Sequence, residues 1–158
     1  MARTLANRAR HSVLVSGDAF FGFLASGAIQ PWLGEANEQN DVVTRAAASA
    51  AGTYAAGGYV TIYDGVVGPW FLPAFFAATG LEQLDYVILL PDVESCVRRI
   101  DTRLGHSFRD EDAARKMHAE FVNAQVDGRH VLVDPPQDPD DVVLLVEEAS
   151  TTGAITYS

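Results

Sequence analysis

The sequence predicts an α/β domain with a mostly parallel sheet and helices on both faces. Three observations carry this reading. Short apolar, partly β-branched runs recur at residues 11–16, 59–63, 84–90 and 130–133. Segments with helical spacing separate them. Connections of that length are crossovers, which join parallel strands, whereas tight hairpins join antiparallel ones. The chain has 158 residues, 48% of them hydrophobic, which is enough for one sizeable core. No repeat, low-complexity tract or linker divides it, so residues 1–158 read as a single domain.

Met1 to Ala6 reads as a helix already under way. His11 to Ser16 is apolar in its middle and predicts a buried strand. Gly17 follows, and Asp18 to Ser26 predicts a helix made bulky by Phe20, Phe21, Phe23 and Leu24, with Gly27 ending it. Gln30 to Gly34 is a loop. A long helix is expected over Glu35 to Ala56, burying Val43, Ala46, Ala47, Ala50 and Tyr54, and Gly57-Gly58 stops it.

Tyr59 to Tyr63 predicts the second strand, ending at Asp64-Gly65. Gly68-Pro69 opens a helix through Thr79. Leu84 to Leu90 is the most apolar run and predicts the central strand. Asp92 caps the next helix, whose buried stripe is Val93, Cys96, Val97, Ile100 and Leu104. Gly105 to Arg109 breaks it. A helix over Asp110 to Ala124 buries Ala114, Met117 and Phe121. His130 to Val133 is the last predicted strand, and Asp138-Pro139 starts a final helix through Glu148.

The net charge of −10 argues against broad binding to nucleic acid or anionic membrane. A local basic pocket remains compatible with it, because ten of the eleven cations are arginines and five of these lie from Arg98 to Arg115. Arginine suits bidentate phosphate contacts. The one cysteine, Cys96, excludes an intrachain disulfide and a cysteine metal cluster. No apolar run reaches the roughly 18 residues that span a bilayer. No signal-like apolar region precedes Asp18. A cytoplasmic protein is expected.

In open parallel sheets, ligands sit beyond the carboxyl ends of the strands. Asp18, Asp64, Pro91-Asp92 and Asp134 all follow strands at that edge. Asp18 has the position of a base that accepts a substrate hydroxyl's proton, or of a plain helix N-cap, and spacing alone favours the cap. Asp64 is placed to hold Mg²⁺ beside a nucleotide, or to shape a turn before Gly65. Arg103 and Arg109 flank the break at Gly105 and are placed to close over transferring phosphates, whereas Arg98 reads as a solvated helix face. Trp32, Trp70 and Phe71 line an acceptor pocket or pack in the core. Asp134-Pro135-Pro136 borders a nucleotide base or shapes a turn. His106 sits in the break, His11, His118 and His130 have no metal-ligand spacing, and Cys96 reads as core.

In their order and spacing, several stretches resemble the chloramphenicol phosphotransferase-like P-loop kinases over most of the chain. They are Val15 to Phe21, Pro31-Trp32-Leu33, Glu38-Gln39-Asn40, Asp64 to Phe71, and the arginine-bearing segment to Arg109. The resemblance implies ATP, Mg²⁺ and transfer of a phosphoryl group to a small-molecule hydroxyl. It makes Asp18 the base, Asp64 the metal-side carboxylate, and Arg103 and Arg109 lid residues. Asp64, Asp134 and Pro135 are then expected on the nucleotide side, and Phe20, Trp32 and Trp70 around the acceptor.

One element of that family's pattern is missing. No G-x-x-x-x-G-K-[ST] loop follows a buried strand, and the sole lysine, Lys116, lies in a later helix. The expectation is a P-loop kinase-like domain without its first strand, with a start downstream of the natural one. In the family that strand lies between those matching Tyr59–Tyr63 and Leu84–Leu90, so its absence either exposes two strand edges, which would favour pairing of copies, or forces those strands together. Two functions follow: an ATP-dependent small-molecule phosphotransferase, or a degenerate, non-catalytic relative that binds a small molecule or a partner.

Overall fold

A computed structural model describes residues 1–102 and 110–158. Among them, seven α-helices alternate with short strands in an α/β arrangement. The order is α1 (Ala2–Asn7), β1 (Ser12–Ser16), α2 (Gly17–Phe21), α3 (Asn37–Ala56), β2 (Val60–Asp64), α4 (Leu72–Thr79), β3 (Leu84–Asp85), β4 (Ile88–Leu90), α5 (Val93–Thr102), α6 (Glu111–Asn123), β5 (Val131–Val133), α7 (Pro139–Thr151) and β6 (Thr156–Tyr157).

The strands form three separate pairs. β1 and β2 are parallel, with Ser12 opposite Val60 and Ser16 opposite Asp64. β4 and β5 are parallel, with Ile88 opposite Val131. β3 and β6 are antiparallel. Both parallel pairs are joined through helices, as the crossover argument requires. The antiparallel pair was not expected, because a two-residue strand near the C-terminus carries no periodicity.

The run from Leu84 to Leu90 is not one central strand. It divides at Tyr86, whose polar groups all find partners outside any parallel ladder. The Tyr86 N–H donates to the Ile155 carbonyl at 3.0 Å. Its own carbonyl accepts from His130 Nδ1 at 2.9 Å, and its hydroxyl donates to the Val67 carbonyl at 2.7 Å. β4 therefore begins only at Ile88 and has one neighbour, β5.

Other boundaries shift for local reasons. α2 stops at Phe21, five residues short of the expected end, and Gly22 caps it. Its second turn has no core to meet, and Phe23 is 73% exposed. On α3 the buried stripe is Val43, Thr44, Ala47, Ala48, Ala51 and Gly52, while Ala46 and Tyr54 are exposed. The small residues face α4, which lies along α3. A Cβ on Gly52 would run into the Thr79 carbonyl and lie within 2.8 Å of Thr79 Cα. Helices approach this closely only where one carries no side chain. Glycine also ends α4, with Gly80 at φ 68°.

Asp92 and Asp138 cap their helices as expected, and Asp110, expected only as the start of a helix, is a third acid cap. Asp92 accepts from the Ser95 N–H at 2.9 Å, Asp110 from the Ala113 N–H at 2.9 Å, and Asp138 from the Asp140 N–H at 2.9 Å. Arg115 bridges α6 to Glu94 of α5 with two contacts of 2.7 and 3.2 Å.

The main core joins Ala48 of α3 to Val67, Leu72 and Phe75 around α4 and to Tyr86 and Ile88. The interior is not filled. Accessible surface is 9617 Å², against about 7,700 Å² for a compact monomer of 17.0 kDa. A cavity of about 2000 Å³ has residues of β2, β3 and β4 in its lining. No helix among the described residues is long and apolar enough to cross a membrane.

Candidate functional site

β1 and β2 end level with each other, and the chemistry-bearing residues gather at that end. Asp18 lies in the first turn of α2, directly after β1, and Asp64 closes β2. Both border the large cavity. The Tyr63 hydroxyl lies against Gly17 and Gly65, the chain neighbours of these two aspartates. Burial chiefly, then the charges of Asp18 and Asp64, push the phenol up to about 12. The two carboxylates thus act on one hydroxyl, although 46 positions separate them in sequence.

Gly17 makes this approach possible. A Cβ there would collide with the Tyr63 hydroxyl and come within 3.3 Å of Gly65 Cα. Only glycine lets the end of β1 pack against the end of β2 in this way. Asp18 does not open α2 as its cap; Ser16 holds that position. The plain-cap reading of Asp18 therefore gives way to a carboxylate within the first turn.

A loop before α3 forms one wall. Gln39 clamps it with both ends of its amide: the Ile29 N–H donates to Gln39 Oε1, and Gln39 Nε2 donates to the Ile29 carbonyl, each at 2.8 Å. Asn40 Nδ2 donates to the Pro31 carbonyl at 2.7 Å. These bonds seat Trp32 where it borders both the large cavity and a smaller pocket of about 160 Å³.

Trp70 lines that smaller pocket with Trp32, Lys116 and Glu120. Its ring packs against Phe121 at 5.3 Å and Phe71 at 6.3 Å, and it is 47% exposed. The two tryptophans therefore meet across one pocket, with the chain's only lysine at its wall. Phe20 borders neither space and instead packs against Phe23 at 5.3 Å. Its neighbour Phe21 lines the large cavity.

The expected nucleotide-side residues are divided. Pro135 is buried at the cavity wall. Asp134 adopts a left-handed φ of 45°, and its N–H donates to the Leu90 carbonyl at 3.0 Å. It continues the β4–β5 ladder by one bond and is not among the cavity-lining residues. Arg103, Arg109 and His106 lie outside the described residues, as do Leu104 and Gly105. Arg98 donates to Ser95 Oγ at 2.6 Å.

Among the described residues, no group of three or more His, Cys, Asp or Glu side chains is placed to hold a metal ion. His118 Nε2 donates to the Pro91 carbonyl at 2.9 Å, and His130 is buried against Tyr86. Both rings are committed to backbone. Burial pushes the Cys96 thiol above its ordinary value, although Arg99 opposes this, so it is a poor nucleophile at neutral pH.

Sequence reasoning missed three contributors: Tyr63, Gln39 and Lys116. Tyr63 had a signal, since it directly precedes Asp64 in an apolar strand. Gln39 had one only within the stretch Glu38-Gln39-Asn40, and its partner lies ten residues upstream. Lys116 gave no signal of its own. Comparison of the whole chain with family models and with characterised proteins found no match.

Proposed function

We propose that this chain is an ATP-dependent phosphotransferase that acts on a small-molecule hydroxyl. The observation that supports it is that Asp18 and Asp64 both act on Tyr63, at the carboxyl edge of a parallel strand pair beside the large cavity. In this reading Asp18 accepts the proton of the acceptor hydroxyl, which is the task of a carboxylate at that edge. Asp64 is the metal-side carboxylate. Trp32, which borders both spaces, offers a flat apolar face to the acceptor. The two parallel pairs are then halves of one P-loop kinase-like sheet with helices on both faces.

The donor side does not fit. Phosphate oxygens need a cradle of backbone N–H groups and a lysine. The sequence contains no such glycine loop, and Lys116 stands at the smaller pocket rather than at the Asp18–Asp64 edge. That mismatch favours a second reading, in which the chain is a binding module without turnover.

The test measures MgATP binding by calorimetry and ADP release in the presence of small hydroxyl compounds. The phosphotransferase reading expects binding by the unaltered chain and a loss of about 10²-fold or more in turnover for Asp18→Asn. Absence of MgATP binding in a folded sample overturns it and leaves the binding module.

A further inference from the structure

The chain's two tryptophans line a second space of about 160 Å³, to which neither Asp18 nor Asp64 contributes. Trp32 reaches it from the loop before α3, and Trp70 from the segment that leads into α4. Lys116 and Glu120 of α6 supply one charge of each sign, and Asn37 and Asn40 of α3 add polar groups.

The two charges are unspent. Lys116 and Glu120 stand four positions apart on one helix, within reach of each other. Among the described residues, neither has an ion-pair or hydrogen-bond partner, and both are exposed. Their order explains this, because lysine before glutamate is the weaker arrangement at that spacing. The opposite order occurs on α3, where Asp41 and Arg45 do pair, at 2.8 Å.

The rings are held but not covered. Trp70 packs against Phe71 and Phe121 and keeps much of its surface exposed. The Gln39 and Asn40 bonds seat the loop that carries Trp32. Asn40 Oδ1 is fully enclosed and has no donor, which leaves the Glu120 carboxylate as the strongest acceptor at the wall.

These features select a ligand. Indole faces attract a cation. A primary ammonium brings three donors and a tight hydration shell, more than one carboxylate satisfies. An alkylated ammonium carries the same charge with fewer donors and suits aromatic faces. Lys116 opposes a ligand that is only a cation, and Glu120 opposes one that is only an anion. A molecule bearing both charges meets both walls. The space holds the bulk of about five liquid waters, which suits a body of a few carbons and is too small for a nucleotide.

We propose that this pocket binds a small zwitterion, with an alkylated ammonium against the indole faces beside Glu120 and a carboxylate turned to Lys116. The proposal goes beyond the phosphotransferase reading and uses neither of its carboxylates.

The experiment titrates the full chain with glycine betaine at constant ionic strength and follows tryptophan fluorescence. The signal is local, because both tryptophans of the chain line the pocket. The expected result is a saturable change with a dissociation constant in the millimolar range. The tert-butylacetate anion has the same shape with carbon in place of the quaternary nitrogen, and it should bind at least about five-fold more weakly. Lys116→Gln should weaken glycine betaine about three-fold. The same variant should bind choline, which has no carboxylate, no more weakly than the parent does. A general disturbance of the pocket would instead weaken both.

Three results would overturn the proposal. One is no saturable change at about 100 mM glycine betaine, far above a millimolar dissociation constant. Another is equal binding of the tert-butylacetate anion. The third is a Lys116→Gln chain that binds glycine betaine unchanged or loses choline equally. No nucleotide enters this titration, so its failure is read separately from a failure to bind MgATP.

Discussion

Ser16 and Asp64 are partners in the parallel register of β1 and β2, so the two strands finish level. That register brings the first turn of α2, which carries Asp18, to the end of β2, beside the Tyr63 phenol. Because burial is the largest cause of the raised Tyr63 value and the two aspartates add to it, Asp18→Asn should lower the titration from about 12 without restoring the ordinary 10.0. Asp64→Asn should do the same to a smaller degree. Carbon-13 labelling of the five tyrosine rings, with the Tyr63 signal assigned by its loss in Tyr63→Phe, follows this titration. An unmoved titration in both variants would mean that the carboxylates do not face the ring.

The same phenols predict alkaline lability. Tyr63 and Tyr86 both ionise near 12 in the folded chain, against 10.0 for the ordinary value. Between pH 10 and 12 the unfolded chain therefore gives up protons that the folded chain still holds. Stability falls as pH rises through that window, and the contribution is fully present below pH 10. Tyr86→Phe should remove part of the slope. It should also cost about 0.5–1.5 kcal/mol at neutral pH, through loss of the hydrogen bond to the Val67 carbonyl. Urea unfolding at a series of pH values checks this, and an unchanged slope in the variant would refute the assignment to Tyr86.

Local chemistry was legible in the sequence and distant partnership was not. Asp92, Asp110 and Asp138 announce helix starts because a cap needs only the next two or three residues. β1 and β2 were legible because an apolar run at a strand's length has few other solutions. The continuous run at Leu84–Leu90 conceals its break because Tyr86 bonds to Val67, His130 and Ile155, none of them neighbours in sequence. At the candidate site, Asp18 and Asp64 were found from their positions after strands. The choice between Phe20 and Phe21 depended on helix phase, which a helix of five residues does not reveal. A shared pocket for Trp32 and Trp70 followed from the resemblance, whereas the part that α6 plays in it through Lys116 and Glu120 is encoded by no spacing.

Gln39 should act as the anchor of the loop that carries Trp32. Its amide satisfies both the N–H and the carbonyl of Ile29 in a partly buried setting. Gln39→Ala leaves two backbone groups without these partners and should cost about 1–3 kcal/mol. Gln39→Glu keeps an acceptor for the N–H but loses the donor to the carbonyl, and should fall between. Unfolding followed by tryptophan fluorescence reads both the cost and the greater exposure of Trp32. A change within about 0.5 kcal/mol, the ordinary scatter for surface substitutions, would show that the clamp is dispensable.

The contact of α3 with α4 supplies the sharpest stability contrast. Gly52 is buried on α3, and a Cβ there would meet the Thr79 carbonyl carbon at 2.7 Å. The neighbour is backbone, which cannot swing aside as a flexible side chain would, so Gly52→Ala must push the two helices apart. Overpacking of this kind costs about 1–3 kcal/mol. It outweighs the gain of about 1 kcal/mol that alanine brings to a helix interior over glycine. Gly34→Ala is the control: nothing lies within 4 Å of its added Cβ, and restricting the unfolded chain should leave stability unchanged or raise it by about 0.4–1 kcal/mol. Chemical unfolding of the two variants beside the parent decides the matter. Equal stability of Gly52→Ala and the parent would mean that α3 and α4 do not approach at Gly52 as described.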